Sequence, residues 1–141
     1  MIIDNSLVFS DQQAVTASAP STNTIDLGTT GTPRLASAPL VRDIGQGAPI
    51  DLSVSVSQGF AGLSSLQISV QTSPDNASWT TVDSGAIIPA AQLTTGYLFE
   101  VPKRVQFAGA RYMRLYYTVT GTASQGAINA AIVASRQSNM Y

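Results

Sequence analysis

Candidate catalytic side chains are limited to hydroxyls and a few carboxylates, because the chain contains no histidine and no cysteine. Histidine most readily transfers protons near neutral pH, and cysteine supplies thiolate nucleophiles and zinc ligands. The serines and threonines therefore have no histidine base, and no GxSxG sequence occurs. Asp51 and Glu100 are the pair to consider for glycoside hydrolysis. Both occupy polar positions of alternating strand patterns, so we expect them to face solvent and the chain not to be an enzyme.

Ligands for a metal or a phosphate are equally scarce. Asp75 and Asn76 could supply oxygen atoms to calcium, but no DxDxDG loop follows them. Residues 73–76 instead have the composition of a turn, because Pro sets φ while Asp and Asn bond to their own backbone. The glycosylation sequence at residues 76–78 is interpreted as part of that turn, which leads to Trp79. No P-loop or GxGxxG sequence is present, and we expect no cofactor.

The charge balance excludes one class of partner. The chain has seven Lys and Arg, eight Asp and Glu and a net charge of −1. Nucleic-acid binding normally requires a basic excess, so we expect no nucleic-acid partner. Lys103 and Arg104, followed by Arg111 and Arg114, place four of the seven basic residues close together. This cluster predicts a contact patch for an acidic protein surface, although solvated loop and strand charges would give the same pattern.

A second set of charges lies in the Gly/Pro-rich segment of residues 28–49. Arg42 and Asp43 are adjacent there and could form an ion pair between subunits or within one subunit. Arg34 precedes them. Together with Lys103 and Arg104, these three residues are the candidate partner contacts.

No apolar run approaches the ~20 residues of a membrane helix, so we expect no membrane partner. The first five residues lack the basic and apolar regions of a secretory signal. We therefore expect synthesis in the cytoplasm and stability without disulfides.

Alternation of apolar and polar residues is the strongest structural signal and predicts strands. Shorter strand candidates lie in the first 27 residues. About eight strands with turn residues between them predict an all-β antiparallel sandwich or barrel. The clearest alternating segments are residues 50–56, 66–70, 79–82, 97–101, 111–120 and 128–132.

The chain length predicts a single domain, residues 1–141. Residues 1–27 are expected to form an N-terminal arm or edge strands, and residues 28–49 a long loop. On the strand at 111–120, Tyr112 and Tyr116 share the outward side. An aromatic pair there indicates a face that is covered either by a loop or by a partner, and we expect these two side chains to contact a second copy of the chain.

Three blocks, in order, resemble capsid cement proteins of tailed phages of the Bbp16 type. They are MIID and LVFSDQQAVT within residues 1–16, STNTIDLG at 21–28, and DIGQGAPI at 43–50. The resemblance implies a jelly-roll decoration protein on the outer surface of a phage head, made in the bacterial host. Its implied partners are the major capsid protein and itself, and we favour a dimer over a trimer. No individual capsid-contact residue can be transferred from the family.

A second, local resemblance links SPDNASWTTV at residues 73–82 and ARYMRL at 110–115 to discoidin-type carbohydrate-binding jelly rolls. It supports the same architecture and offers an alternative function, a carbohydrate-binding module. We expect Trp79 to be a core residue rather than a sugar platform. A phage tail or baseplate component is the other alternative.

Overall fold

Two long antiparallel strands form the centre of the molecule. The computed structural model describes residues 3–29, 31–40, 51–101 and 110–134. The fold of these residues is all-β, as predicted, with one antiparallel sheet of seven strands. Short 3-10 turns cover Asn5–Leu7 and Ala90–Gln92. The strands are β1 (Val8–Ala14), β2 (Ala19–Pro20), β3 (Ile25–Asp26), β4 (Asp51–Ser73), β5 (Thr80–Ser84), β6 (Ile88–Pro89) and β7 (Tyr112–Val133).

Strands β4 and β7 pair along their whole lengths, from Asp51 opposite Val133 to Ser73 opposite Tyr112. The register shifts several times between Val56 and Ser65, which divides the ladder into two halves. The first ladder half pairs residues 51–58 with 127–133, and the second pairs residues 63–73 with 112–121.

The merging of predicted strands is the main difference from the sequence analysis. Residues 50–56 and 66–70 were expected to form two separate strands, but residues 51–73 are one strand. Gly62 has a φ of +87°, and a Cβ added there would lie 2.6 Å from the carbonyl oxygen of Thr122. Glycine is therefore needed for a bulge rather than for a turn. The segments at 111–120 and 128–132 merge in the same way, and the described residues contain seven strands instead of eight.

The N-terminal strands border the other edge of β7. β1 pairs with residues 127–131, β2 with 116–117 and β3 with 112–113, so the three follow one another along β7. β5 and β6 pair with the second half of β4. Residues 31–40 are exposed and contain no strand. The rest of the predicted loop, residue 30 and residues 41–49, lies outside the described residues.

Both ladder halves contribute to one hydrophobic core, which includes Phe9 from β1. The sheet must therefore bend at the shifted registers so that its two halves face the same interior. Period-two alternation explains which side chains point inward. From β4 the core contains Leu52, Val54, Val56, Leu66, Ile68 and Val70, and from β7 it contains Met113, Leu115, Tyr117, Ile128, Ala130 and Ile132.

The predicted strand at residues 97–101 is reduced to a single bridge, between Ser55 and Leu98. Phe99 donates its backbone N–H to the carbonyl oxygen of Val54 and is buried in the core. The part of the chain that the structure describes contains no helix long and apolar enough to span a membrane.

Candidate functional site

The outward side of the second ladder half carries a group of large half-buried side chains. We define this outer aromatic face by Gln71, Trp79, Tyr112, Arg114 and Tyr116, all of intermediate burial. On β7 these outward residues alternate with core residues, because successive side chains of a strand point to opposite faces.

Arg114 lies at the centre of the outer aromatic face. Its guanidinium carbon is 4.0 Å from the centre of the Trp79 ring, and its Nε donates a hydrogen bond of 2.8 Å to Oε1 of Gln71. Gln71 and Arg114 are directly opposite each other in the β4–β7 ladder. Burial lowers the pKa of Arg114 below its ordinary value, but an arginine remains charged at neutral pH. Trp79 and Gln71 therefore hold the guanidinium of Arg114 in a defined orientation.

Trp79 is not a core residue, contrary to the sequence-based expectation. It is half-buried and does not belong to the core cluster. The guanidinium of Arg114 covers one face of its ring. Because β5 begins at Thr80, Trp79 lies in the turn before the strand, where alternation does not determine its direction.

Arg111 and Asp26 form a bidentate ion pair at the edge of the outer aromatic face. The Arg111 Nε and Nη2 atoms donate to the two carboxylate oxygens of Asp26, at 2.6 and 2.7 Å. Asp26 also accepts the backbone N–H of Gly28 at 2.8 Å. The Arg111 hydrogen bonds, followed by that of Gly28, lower the pKa of Asp26 from 3.8 to about 2. The guanidinium carbon of Arg111 is 4.8 Å from the centre of the Tyr112 ring.

Asp75 organises the turn that leads to Trp79. Its Oδ1 accepts the backbone N–H groups of Ser78 and Ala77 at 2.8 and 2.9 Å and the hydroxyl of Ser73 at 2.9 Å. These bonds lower the pKa of Asp75 from 3.8 to about 2. The next residue, Asn76, has a φ of +60°, which asparagine tolerates. The carboxylate that was considered as a calcium ligand is thus used by its own turn. Within the described ranges, no group of three or more acidic residues could hold a metal ion.

Tyr112 and Tyr116 lie on the same side of β7, with one outward-facing residue, Arg114, between them. Tyr112 pairs with Ser73 on β4 and with Asp26 on β3. Tyr116 pairs with Ser69 on β4. Both side chains are of intermediate burial, so each retains some surface that could contact another molecule.

The structure describes only some of the other predicted site residues. Arg34 is exposed in the segment 31–40, while Arg42, Asp43, Lys103 and Arg104 lie outside the described residues. Asp51 is half-buried at the start of β4, and Glu100 is exposed. The sequence analysis did not identify the contacts among Gln71, Trp79 and Arg114. Alternation alone places Gln71 and Arg114 outward, but only the ladder register brings them together.

A groove of about 510 Å³ lies on the first ladder half. Its lining includes the small side chains of Ser53, Ser55 and Ala131, which are neighbours on β4 and β7. Ile3 and Val8 add apolar surface, and Asp11 adds a carboxylate. Asn5, Asn23 and Asn129 also line it, so the groove mixes apolar and uncharged polar side chains around one acidic group.

Comparison with protein-family models matches residues 9–132 to the family described as Bbp16. The matched region extends from β1 into β7 and covers most of the chain, which confirms the resemblance seen in the sequence. The family has a phage-derived name. No curated protein matches the chain. On the strength of the family match, the chain belongs to the Bbp16 family.

Proposed function

We propose that this chain is a structural protein of a phage virion that binds the outside of the head and stabilises contacts between major capsid subunits. Membership of the Bbp16 family supports a phage-associated structural role. The cement role and the position on the outer surface of the capsid are our inference from the resemblance and from the outer aromatic face.

The observation that carries this proposal is the residue composition of the outer aromatic face, together with the fixed position of Arg114 within it. Arg, Tyr and Trp are enriched at protein interfaces and dominate the residues that contribute most to binding. Arg114 is held by Trp79 and Gln71 before any partner arrives. A side chain ordered in advance loses less conformational entropy on binding, so the contact can be strong for its area.

A protein that binds only the assembled shell stabilises it by mass action. Repetition of one contact over a symmetric lattice increases the effect through multivalency. A bent, disulfide-free β-sheet with one shared core gives the stiff support that such a contact needs. We include in the proposal that this bent sheet is a jelly-roll sandwich, since its two halves enclose a common interior.

The partner contacts extend the proposal. We propose that Tyr112 and Tyr116 contact a second copy, with a dimer favoured over a trimer. Arg34, Arg42, Asp43, Lys103 and Arg104 stay predicted partner contacts.

The test compares heads of the parent phage with and without this chain. We expect heads that lack it to break at lower temperature and under milder osmotic shock, and purified protein to restore their resistance when added back. The copy number per particle should be several hundred, as lattice binding requires. Equal resistance with and without the protein would contradict the cement role.

The alternatives predict other results. A carbohydrate-binding module should bind glycans saturably, although Arg114 already covers one face of the Trp79 ring. A tail or baseplate component should be labelled by an antibody over the tail rather than over the head.

A further inference from the structure

Leu35 has the most exposed large apolar side chain of the described residues, with 99% of its surface accessible. It occupies a tight turn, because the backbone N–H of Ala36 donates to the carbonyl oxygen of Pro33 at 3.0 Å. The N–H of Leu40 donates to the carbonyl oxygen of Gly31 at 3.3 Å and closes a small loop around this turn. We call residues 31–40 the Leu35 loop.

The backbone of Leu35 is also in an unfavourable conformation, with a φ of +70°. Glycine or asparagine is favoured at such a turn position, and a bulky side chain there is an outlier. An exposed leucine gains nothing from burial that would offset this cost. Residues that persist in strained conformations are concentrated at functional contacts. Leu35 is therefore better explained by a contact outside the isolated subunit than by the stability of that subunit.

The chemistry of the Leu35 loop defines the site that would receive it. Arg34 is next to Leu35 and is the only charged residue between positions 31 and 40. Within the described residues neither Arg34 nor Asp11 forms an ion pair. The complementary site is thus a depression that offers apolar surface to Leu35 and a carboxylate to Arg34.

The groove on the first ladder half offers both apolar surface and a carboxylate, together with the polar side chains of Asn5, Asn23 and Asn129, which could bond to the backbone of an inserted turn. Ile3 and Val8 provide apolar surface, Ser53 and Ala131 leave space, and Asp11 provides the carboxylate. Its volume of about 510 Å³ is sufficient for a leucine side chain and part of its turn. Ile3 retains 46% of its surface exposed in the isolated chain.

We propose that the Leu35 loop of one copy binds the groove of a second copy, with Leu35 in the apolar part and Arg34 beside Asp11. Such a contact joins two different surfaces, so it can link neighbouring copies in a ring or along a lattice. It is separate from the outer aromatic face and does not depend on binding to a phage head.

The first test measures self-association by sedimentation over a range of concentrations, in a Tyr112→Ala/Tyr116→Ala background, so that the tyrosine contact proposed above does not contribute. This background is the reference protein for the variants below. Leu35→Gly suits the left-handed backbone and removes the side chain, so its thermal stability should equal or exceed that of the reference protein. We expect its self-association to be at least about tenfold weaker, as for loss of an anchor residue. Leu35→Met should associate like the reference protein. Ile87→Ala is the matched control, because Ile87 is also an exposed apolar residue at 64% and should have no effect.

The second test exchanges the charges. Arg34→Glu and Asp11→Arg should each weaken self-association, because each places two like charges at the contact. A mixture of the two variants should associate again, since the acidic loop of the first variant then meets the basic groove of the second.

Three results would overturn the proposal. Leu35→Gly could associate as strongly as the reference protein, or it could unfold at a clearly lower temperature, which would give Leu35 a role within the subunit. The mixed charge variants could also fail to associate. These measurements use no phage heads. The self-association test can therefore fail while the head test succeeds, and the head test can fail while self-association is confirmed.

Discussion

The hydroxyl oxygen of Tyr117 lies 2.7 Å from Oγ of Ser10, and this contact joins the second ladder half to β1, which pairs with the first half. Both residues are buried, Tyr117 completely. Ser10 in turn donates its hydroxyl to Oε1 of Gln13 at 2.6 Å, so Tyr117 must be the donor to Ser10. Burial raises the pKa of Tyr117 well above its ordinary value, and the phenol remains protonated.

The direction of these hydrogen bonds predicts that replacing Tyr117 and replacing Ser10 lower the free energy of unfolding by different amounts. Tyr117→Phe removes a donor, but Ser10 can still donate to Gln13, so we expect a loss of about 1 kcal/mol in the free energy of unfolding. Ser10→Ala leaves the buried Tyr117 hydroxyl without an acceptor, which costs about 1–3 kcal/mol. Urea denaturation of both variants measures the difference.

The double variant tests whether the two residues act together. Replacing both partners removes the orphaned group, so its cost should be smaller than the sum of the two single losses. If Tyr117→Phe costs more than Ser10→Ala, the assigned direction of the hydrogen bond is wrong.

Alternation predicted the inward residues of β4 and β7 because it depends only on the strand period and on one buried face. It identified Leu52, Val54 and Val56 before the bulges and Leu66 and Ile68 after them, all of which are buried. It did not show that the two runs belong to one strand, because glycine is equally suited to a turn and to a bulge.

The sequence pattern could not predict contacts between residues that are far apart in the chain. Ser10 and Tyr117 are separated by 107 positions, and a serine in an edge strand gives no local sign of burial. Trp79 was misplaced for a related reason. A single aromatic residue next to a turn has no neighbours that reveal its face, and the residue that covers it, Arg114, comes from β7.

The stack of Arg114 on Trp79 predicts a modest effect on stability. Trp79→Ala should lower the free energy of unfolding by about 1–2 kcal/mol, through loss of the cation–π contact and of partly buried surface, without unfolding the protein. Arg114→Lys keeps the charge but loses the planar contact and the bond to Gln71. The two changes should be non-additive in a double-mutant cycle measured by urea denaturation. Additive effects would show that the stack does not contribute.

The pKa values of Asp26 and Asp75 predict a loss of stability in acid. Both are lowered from 3.8 to about 2, so each carboxylate stabilises the fold above its unfolded pKa. This contribution is lost as the pH falls from about 4 to about 2, because the unfolded chain then binds protons more readily. Thermal melting at a series of pH values should show a constant melting temperature between about pH 7 and 5 and a decline below about pH 4.

Asp75→Asn keeps the hydrogen bonds of the turn but removes its negative charge. The asparagine oxygen can still accept the backbone N–H groups of Ala77 and Ser78, so the turn persists while the carboxylate no longer titrates. We expect this variant to have a weaker dependence on pH between about 4 and 2 than the wild type. An unchanged acid profile would show that Asp75 is not among the groups that determine it.

A substitution at Gly126 tests the bend between the ladder halves. It has a φ of +144°, and a Cβ added there would collide with the ring of Phe60. Gly126→Ala should therefore destabilise the protein by about 1–3 kcal/mol, as overpacking does. Gly31→Ala is the control, since no atom lies within 4 Å of the corresponding Cβ, and it should leave the melting temperature unchanged. Because Phe60→Ala removes the collision but not the backbone strain, Gly126→Ala should cost less in that background than in the wild type. An equal cost in both backgrounds would show that the ring of Phe60 does not pack over Gly126.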